Sequence, residues 1–574
     1  MQDNWKVNRN LTLDYGVRLV HQTPQYDARG QASNFFVDKW SSGSAPVLYV
    51  AGCANGVYPC TGTNRQAMNP MTNQFLGPNT TLAIGTMVPN SGNTTNGLIQ
   101  AGKGIPLSTY LQPALGVAPR FGMAYDLSGR QQIVLRGGGG LYFDRPSGNA
   151  VFGQVLNPPS RRSVTLRFGQ LQTLTSGGLA TEAPSSLSVY EYDSPLPSSA
   201  QWNGGVQLAL PWSTVLDVEY VGQHVYNVVE GINLNAVDFG SAYLPQYQDP
   251  TLAPTTPGAT AVSTDQMRAF RGYSAITQNV SRGWVTHHSL QISFNRRFSH
   301  GLSYGFNDTI GLASRGSTGA RLQHNADGTV TYRTDQAQAD DLFQTPPIRH
   351  TMKANFVWDM PDVRSSQSGL KAIGYLVNDW QLSGIWTAAT SGTYAAGFSY
   401  QSPSGAANVN LTGSPDYGGR LRIVGDTGAG CSSDPYRQFN TASFQGPLVG
   451  SVGLESGNSY LRGCFTQVLD LSIARNIPLP GGRNIQVRAD LFNAPNQAII
   501  TGRNTTLQLS NPADPVTNVA PVFDPVTGLL NNGVNLTPTG AVSPDRSKPK
   551  NAGFGVANAY QAPRNVQIQV RFSF

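Results

Sequence analysis

The chain has no uninterrupted apolar run of about 18 residues, so nothing in it could cross a bilayer as a helix. Charge is scarce too: Asp, Glu, Lys and Arg make up 12% of 574 residues, where soluble domains carry about a quarter. The opening Met1-Gln2-Asp3-Asn4-Trp5 has neither the basic stretch nor the apolar segment of an export signal. Lys and Arg are scattered, and a net charge of +7 does not make a nucleic-acid groove; it suits a lumen or rim that meets anionic ligands or lipopolysaccharide. No Ser/His/Asp or Cys/His nucleophile arrangement has local support, and no acid pair stands out. The composition therefore argues against an enzyme and calls for no cofactor or metal.

What the chain does have is alternation. Its last segment, Asn565 to Phe574, places Val566, Ile568, Val570, Phe572 and Phe574 on one wall of a strand and Gln567, Gln569, Arg571 and Ser573 on the other. About ten residues of this pattern match a membrane-spanning β-strand. The same parity returns at Leu11 to Leu19, Phe121 to Leu127, Trp202 to Trp212, Leu216 to Tyr220, Leu290 to Phe298 and Leu302 to Phe306. It continues at Met352 to Trp358, Trp380 to Trp386, Leu469 to Ile473 and Ile485 to Leu491. Seven tryptophans, Trp5, Trp202, Trp212, Trp284, Trp358, Trp380 and Trp386, fall in or beside these segments, where indoles can anchor at a membrane interface or simply pack in ordinary β-structure.

Links between segments alternate short and long. Asn8 to Asn10, Ser128 to Arg130, Arg297 to His300 and Pro478 to Gly482 are short; Gln22 to Gly116, Asp144 to Ala200, Gln223 to Gly283, Gly311 to Arg349, Ala389 to Gln467 and Ala494 to Ala562 are long. A compact soluble domain rarely carries such loops, whereas short turns at one end and long extracellular loops at the other are expected of an outer-membrane barrel. A single barrel also escapes the size limit of about 250 to 300 residues on one soluble core. The expected fold is all-β, an antiparallel transmembrane β-barrel. About thirteen strands are expected where even numbers are the rule, which points to a chain that is N-terminally incomplete.

The segment Gln2-Asp3-Asn4-Trp5-Lys6-Val7, continuing through Leu11-Thr12-Leu13-Asp14-Tyr15-Gly16-Val17-Arg18, resembles a hairpin of TonB-dependent receptors, most of all the Oar-like group with a carboxypeptidase-regulatory-like domain. Asp379 to Ile385, Val468 to Arg475, Arg488 to Asn496 and Ala562 to Phe574 are similar to later segments of the same family. The resemblance implies that residues 1–574 are the C-terminal barrel portion of a 22-stranded receptor, with signal peptide, regulatory-like domain, plug and first strands absent. It further implies a bacterial outer-membrane location, uptake of a large or scarce solute driven by the TonB complex through the missing N-terminal part, and delivery by the barrel assembly machinery. Phe572 and Phe574 resemble that machinery's C-terminal recognition signal. The solute is not legible.

Cys53 with Cys60, and Cys431 with Cys464, are candidate disulfides in long loops, since the first spacing is wrong for a zinc knuckle and an outer surface is oxidising. Asp14 with Arg18, and Arg488 with Asp490, fall on the expected lumenal wall, as contacts for a plug or ligand or as ordinary wet wall. Gly137 to Gly140 lacks the Lys and Ser/Thr of a phosphate loop and reads as a strand stripped of side chains for close approach. His287 and His288 face opposite sides; Asp340 and Asp341 are an outer-loop pair, for a cation or for solvent. Two other expectations compete with uptake: a barrel serving as a platform for adhesion or protein traffic, and a secreted soluble β-sandwich or solenoid adhesin.

Overall fold

The computed structural model describes residues 2–167, 170–173, 179–253, 260–317, 321–324, 330–333, 342–343, 348–363, 374, 376–400, 411–509, 522–523, 530–531 and 553–574. Asp340 and Asp341 lie outside the described residues.

Period-two patterning produces one large antiparallel sheet in which thirteen strands pair in chain order. They are β1 (Gln2–Lys6), β2 (Leu11–Val20), β3 (Gly116–Asp126), β4 (Ile133–Phe143), β5 (Ser198–Leu210), β6 (Thr214–Asn233) and β7 (Tyr273–Ser299). The rest are β8 (Leu302–Ser317), β9 (His350–Asp359), β10 (Trp380–Ala389), β11 (Thr466–Leu479), β12 (Arg483–Phe492) and β13 (Asn565–Ser573). Two short loop strands also join this sheet, Ser185–Tyr190 parallel to β7 and Leu342–Phe343 beside β8.

The sheet is staggered as a tilted barrel wall requires. One register row runs Trp5, Leu13, Met123, Gly137, Gly204, Tyr220, Leu290, Ile310, His350. It starts one residue from the short-turn end of β1 and finishes at the long-loop end of β9, nine residues from Asp359. A climb of about one residue per strand is the shear that accompanies a strand tilt of about 35 to 45°.

The two faces differ in chemistry. Tyr15, Val17, Leu19, Val117, Phe121, Met123, Val566, Ile568, Val570 and Phe572 stand exposed on one face. Asp14, Arg18, Arg120, Arg136, Asn203, Glu219, Lys353, Asn355, Arg488 and Asp490 occupy the other, by the register that pairs them. Two glycines on the apolar face are overlaid by aromatic rings. A Cβ at Gly222 would lie 2.3 Å from the Trp202 indole, and one at Gly384 would lie 2.6 Å from the Phe356 ring. Each ring takes the place of a missing side chain and covers backbone that would otherwise face hydrocarbon. Asp308 is a carboxylate on the apolar face; His350 Nδ1 lies 3.0 Å from its Oδ2, so the two share one hydrogen bond there.

β6 and β7 run for 20 and 27 residues, well past the 9 to 11 that span a membrane. The loop expected over Gln223 to Gly283 therefore shrinks to 234–272. The strands are hard to read past the membrane because above Tyr226 both faces become covered, as at buried Ile232, Ile276 and Val280. A register shift at Asn227, whose φ is +57°, marks the change of environment.

An all-β sheet with one continuous apolar face, a wet opposite face and this stagger is the wall of a transmembrane β-barrel. Val570→Arg should cost about 2 to 4 kcal/mol near the midplane and block heat-modifiable migration on gels. Gln569→Arg, on the wet face, should leave that migration unchanged; equal behaviour of the two variants would contradict the assigned faces.

Candidate functional site

On the wet face, Asp14, Arg120, Arg136, Tyr142, Gln201, Asn203 and Glu219 line an open recess of about 580 Å³ against Gly122 and Gly137 to Gly139. A second recess of about 840 Å³ adjoins it, between Arg18, Asp14, Gly16 and Arg120. The glycines make this relief. A Cβ on Gly138 would stand 2.8 Å from the Phe121 carbonyl oxygen, and one on Gly140 would stand 3.0 Å from Arg120 Cγ and 3.4 Å from the Tyr142 hydroxyl. Over bare Gly140 the Arg120 guanidinium lies 4.6 Å from the Tyr142 ring centroid, a cation-π contact.

Asp14 and Arg18 share this wall, but Asp14 is held by Asn4, whose Nδ2 donates to it at 2.5 Å. Arg488 and Asp490 form a direct ion pair, Nε to Oδ1 2.8 Å. That pair is on β12, separated from β2 by nine strands of the sheet, so the four residues make two lumenal patches and not one. Phe572 and Phe574 stack at 5.9 Å between centroids on the opposite, apolar face. His287 pairs with Gln223 on the wet face and His288 with Gly222 on the apolar one. Sequence reasoning missed Arg120, Arg136, Asn203 and Glu219, which only strand pairing brings together; the glycine run was the signal that marked the place.

Above the wall the long loops form a packed layer. Phe35, Leu187, Val189, Ile232, Leu234, Phe270, Tyr273, Ile276 and Val280 make one core, drawn from three loops and the strand tops. Ala396, Leu421, Phe439, Phe444, Leu461, Leu507 and Phe554 make another. Three buried asparagines replace regular pairing between the loops. Asn34 donates to the carbonyls of Thr109 and Tyr190 and accepts from Tyr190 N–H. Asn157 does the same between Ser33 and Ser188. Asn235 donates to Phe270, Tyr273 and Ser274 and accepts from Phe270 N–H. Each amide satisfies backbone groups that would otherwise be buried unpaired.

Both cysteine pairs are disulfide-bonded in this layer, Cys53 with Cys60 and Cys431 with Cys464. The first lies beside a cross-loop ion pair, Arg65 to Asp249 at 2.7 Å, and Cys60 N–H donates to the Thr251 carbonyl. Near the second, Arg503 sits 4.9 Å from the Tyr394 ring centroid; burial pushes the Tyr394 hydroxyl pKa up to about 12, with Arg503 opposing the shift.

A buried guanidinium ties the layer together. Arg268 donates to Asp416 (2.9 and 3.2 Å), to Asp265 (3.1 Å) and to the Asn235 carbonyl (2.5 Å). Asp416 belongs to the loop between β10 and β11, and Arg268 to the loop between β6 and β7. Around this clamp Gly240 N–H donates to Thr412, Ala242 N–H to Gly413, and the Phe239 and Tyr417 rings stack at 4.7 Å. Burial raises the Asp265 carboxyl above its ordinary 3.8, Ser274 and Arg268 countering it only in part.

Wall, wet recess and packed loop layer together define an outer-membrane β-barrel. The family model for the outer membrane beta barrel domain matches residues 1–567, and the chain belongs to that family. Its short turns accordingly face the periplasm and its long loops the exterior. No curated protein matches the sequence. Among solved structures the chain is similar to the transporter YddB from Escherichia coli, at 10% identity over 68% of this chain and 38% of that one, TM-score 0.34. It is similar also to a variant of the ferric enterobactin receptor PfeA from Pseudomonas aeruginosa in complex with enterobactin, at 11% identity over 98% and 53%, TM-score 0.34. A third is the siderophore receptor PirA from Acinetobacter baumannii, at 10% identity over 71% and 40%, TM-score 0.32. The chain thus spans about two fifths to half the length of these structures, and the family assignment rests on the family model alone.

Asp416→Ala would leave Arg268 buried with a single carboxylate, and breaking a buried pair costs about 3 to 5 kcal/mol. Amide exchange should speed up across both clamped loops and stay unchanged in the wall. A raised carboxyl pKa means that the folded layer binds this proton more tightly than the unfolded chain does. The Asp265 contribution to stability is therefore fully present below pH 3.8 and is lost as the pH rises through the shifted value. Asp265→Asn should remove that part of the pH dependence, read as exchange protection followed upward from pH 3.8.

Proposed function

We propose that the chain is the membrane barrel portion of a TonB-dependent, Oar-like receptor that takes up a large or scarce solute with energy from the inner membrane. The observation that carries this reading is the glycine-relieved lumenal recess with mixed charge, Arg18, Arg120 and Arg136 against Asp14 and Glu219. Such a wall can hold the polar surface of a plug or solute through many exchangeable hydrogen bonds. In this reading the loop layer is the part that first meets the solute, Phe572 and Phe574 serve recognition by the barrel assembly machinery, and the TonB complex acts through a segment outside residues 1–574. The solved structures similar to this chain include siderophore receptors and a copper transporter, so ferric siderophores and copper chelates are the first solutes to try.

A second reading, a barrel that serves as a platform for adhesion or protein traffic, draws on one surface. Ile423, Val424, Leu448, Val449, Val452 and Leu454 are exposed together in the loop between β10 and β11, around a cleft of about 430 Å³. Removing the loop from Gln22 to Gly116 would not separate the readings cleanly, because it takes Phe35 and Asn34 from the shared core. Substituting Val424, Leu448 and Leu454 with Ser leaves that core intact.

In cells that produce the full-length receptor, the uptake reading expects accumulation of a ferric siderophore or copper chelate that a protonophore abolishes. Arg120→Glu with Arg136→Glu should lower that accumulation while heat-modifiable mobility persists. Surface attachment that fails in the triple Ser variant, with no energy-dependent accumulation of any of these solutes, would favour the platform.

A further inference from the structure

The apolar face carries one patch that lipid tails alone do not explain. Register places Ala200, His224, Thr286 and Arg315 side by side across β5 to β8. The adjacent row on the same face holds Trp202, Gly222, His288 and Ala313. Tyr220, Tyr226 and Trp284 stand on this face as well, in register with Leu290, Trp284 and Ser317 respectively.

Height decides what the patch can touch. His224 is ten residues from the periplasmic end of β6, His288 eleven from that of β7, and Arg315 thirteen from that of β8. At about 3.3 Å per residue and a tilt of about 40°, these positions stand about 25 to 33 Å above the periplasmic turns. The apolar band is about 25 Å tall, so the two imidazoles sit at its outer edge and the guanidinium just beyond it. That is the depth of outer-leaflet headgroups, and the indoles and phenols around them are the residues of an interfacial belt.

The polar groups are arranged with one side fixed and one side open. His288 Nδ1 and the Tyr220 hydroxyl are 2.7 Å apart, and His224 Nδ1 and the Thr286 hydroxyl are 2.7 Å apart. Each ring is thereby held against the sheet, with Nε2 on the far side of the ring. The Trp202 indole lies across Gly222 and packs 6.0 Å from the His288 ring, the Tyr220 ring stacking on it at the same distance. Arg315 is exposed and makes no ion pair among the described residues. The carboxylate that shares its strand face, Asp308, lies seven residues lower and is engaged by His350. Among the described residues the patch is thus a cation with two imidazole donors and no carboxylate paired to Arg315.

We propose that this patch is a binding site for the phosphate of an outer-leaflet lipid headgroup. Arg315 would grip the phosphate through its planar pair of N–H donors, as guanidinium does with phosphate oxygens, and Nε2–H of His288 and His224 would supply further donors. The aromatic rings around them would cover the first carbons of the acyl chains. Thr286 sits between His224 and Arg315, which are two strands, or about 10 Å, apart, a span that one phosphate and its hydration can bridge.

The test uses the whole protein extracted from outer membranes in mild detergent, with native mass spectrometry to count co-purifying phosphorylated lipid. Arg315→Gln should lose about tenfold in retained lipid, Arg315→Lys less, and His224→Gln with His288→Gln should lose an intermediate amount. Arg297→Gln, a loss of the same charge at the periplasmic rim, should retain lipid like the parent. Heat-modifiable mobility certifies the fold of each variant. In nanodiscs, bisphosphorylated lipid A should raise the melting temperature of the parent and not of Arg315→Gln, whereas its dephosphorylated form should raise neither. Equal retention by the parent and Arg315→Gln would overturn the site. An equal rise in melting temperature with inorganic phosphate alone would overturn the lipid as its occupant, and an equal loss in Arg297→Gln would reduce the effect to general charge.

Discussion

Everything in this molecule depends on a backbone that must satisfy its own hydrogen bonds where no water can reach. In hydrocarbon, an unpaired peptide group costs several kcal/mol, so the chain can cross only as strands whose every neighbour is another strand. Once that ladder exists, side chains fall alternately into lipid and into the lumen, and there is no third place for them. The exposed Val566, Ile568 and Val570 on β13 and the polar Gln567 and Gln569 between them follow from this one constraint. Stagger follows too, because strands that tilt to close a wall slip by about one residue at each step.

The same constraint explains where glycine is used. Side chains are absent at Gly222 and Gly384 because large rings lie across those positions from the lipid side, and at Gly138 and Gly140 because backbone, Arg120 and Tyr142 crowd the lumenal side. The recess and the aromatic cover are two uses of one device. Both put a long side chain from one strand over bare backbone of the next.

Outside the membrane the rules change. The loops regain water, and a layer this thick must find its backbone partners without a ladder. It does so with buried amides, Asn34, Asn157 and Asn235, each making the bonds of a short strand pair, and with Arg268 joining two loops through Asp416. Disulfides close two of the loops, one beside the Arg65–Asp249 ion pair and one within a small cluster of Ile499, Ile500 and Ala557. The partly buried Asp265, whose carboxyl is raised above its ordinary value, links this layer to pH.

Much of the wall was legible in the chain because alternation is local: each strand needs only its own ten residues to show which side chains share a face, and turn residues show where it ends. That was enough for the chain-order pairing of the strands and for which residues of one strand share a face. It was not enough for the overrun of β6 and β7, where both faces are covered and the alternation fades, nor for the lumenal recess, whose Arg120, Arg136 and Glu219 are brought together only by pairing between strands. The loop layer was invisible for the same reason, since Asn34 and Tyr190, or Arg268 and Asp416, are more than a hundred residues apart and nothing local marks an asparagine as buried. The sequence alone determined that the chain makes a two-faced wall, because period two is a property of single strands. Only the tertiary structure decided which polar groups meet across that wall and above it, because register and loop packing are properties of pairs.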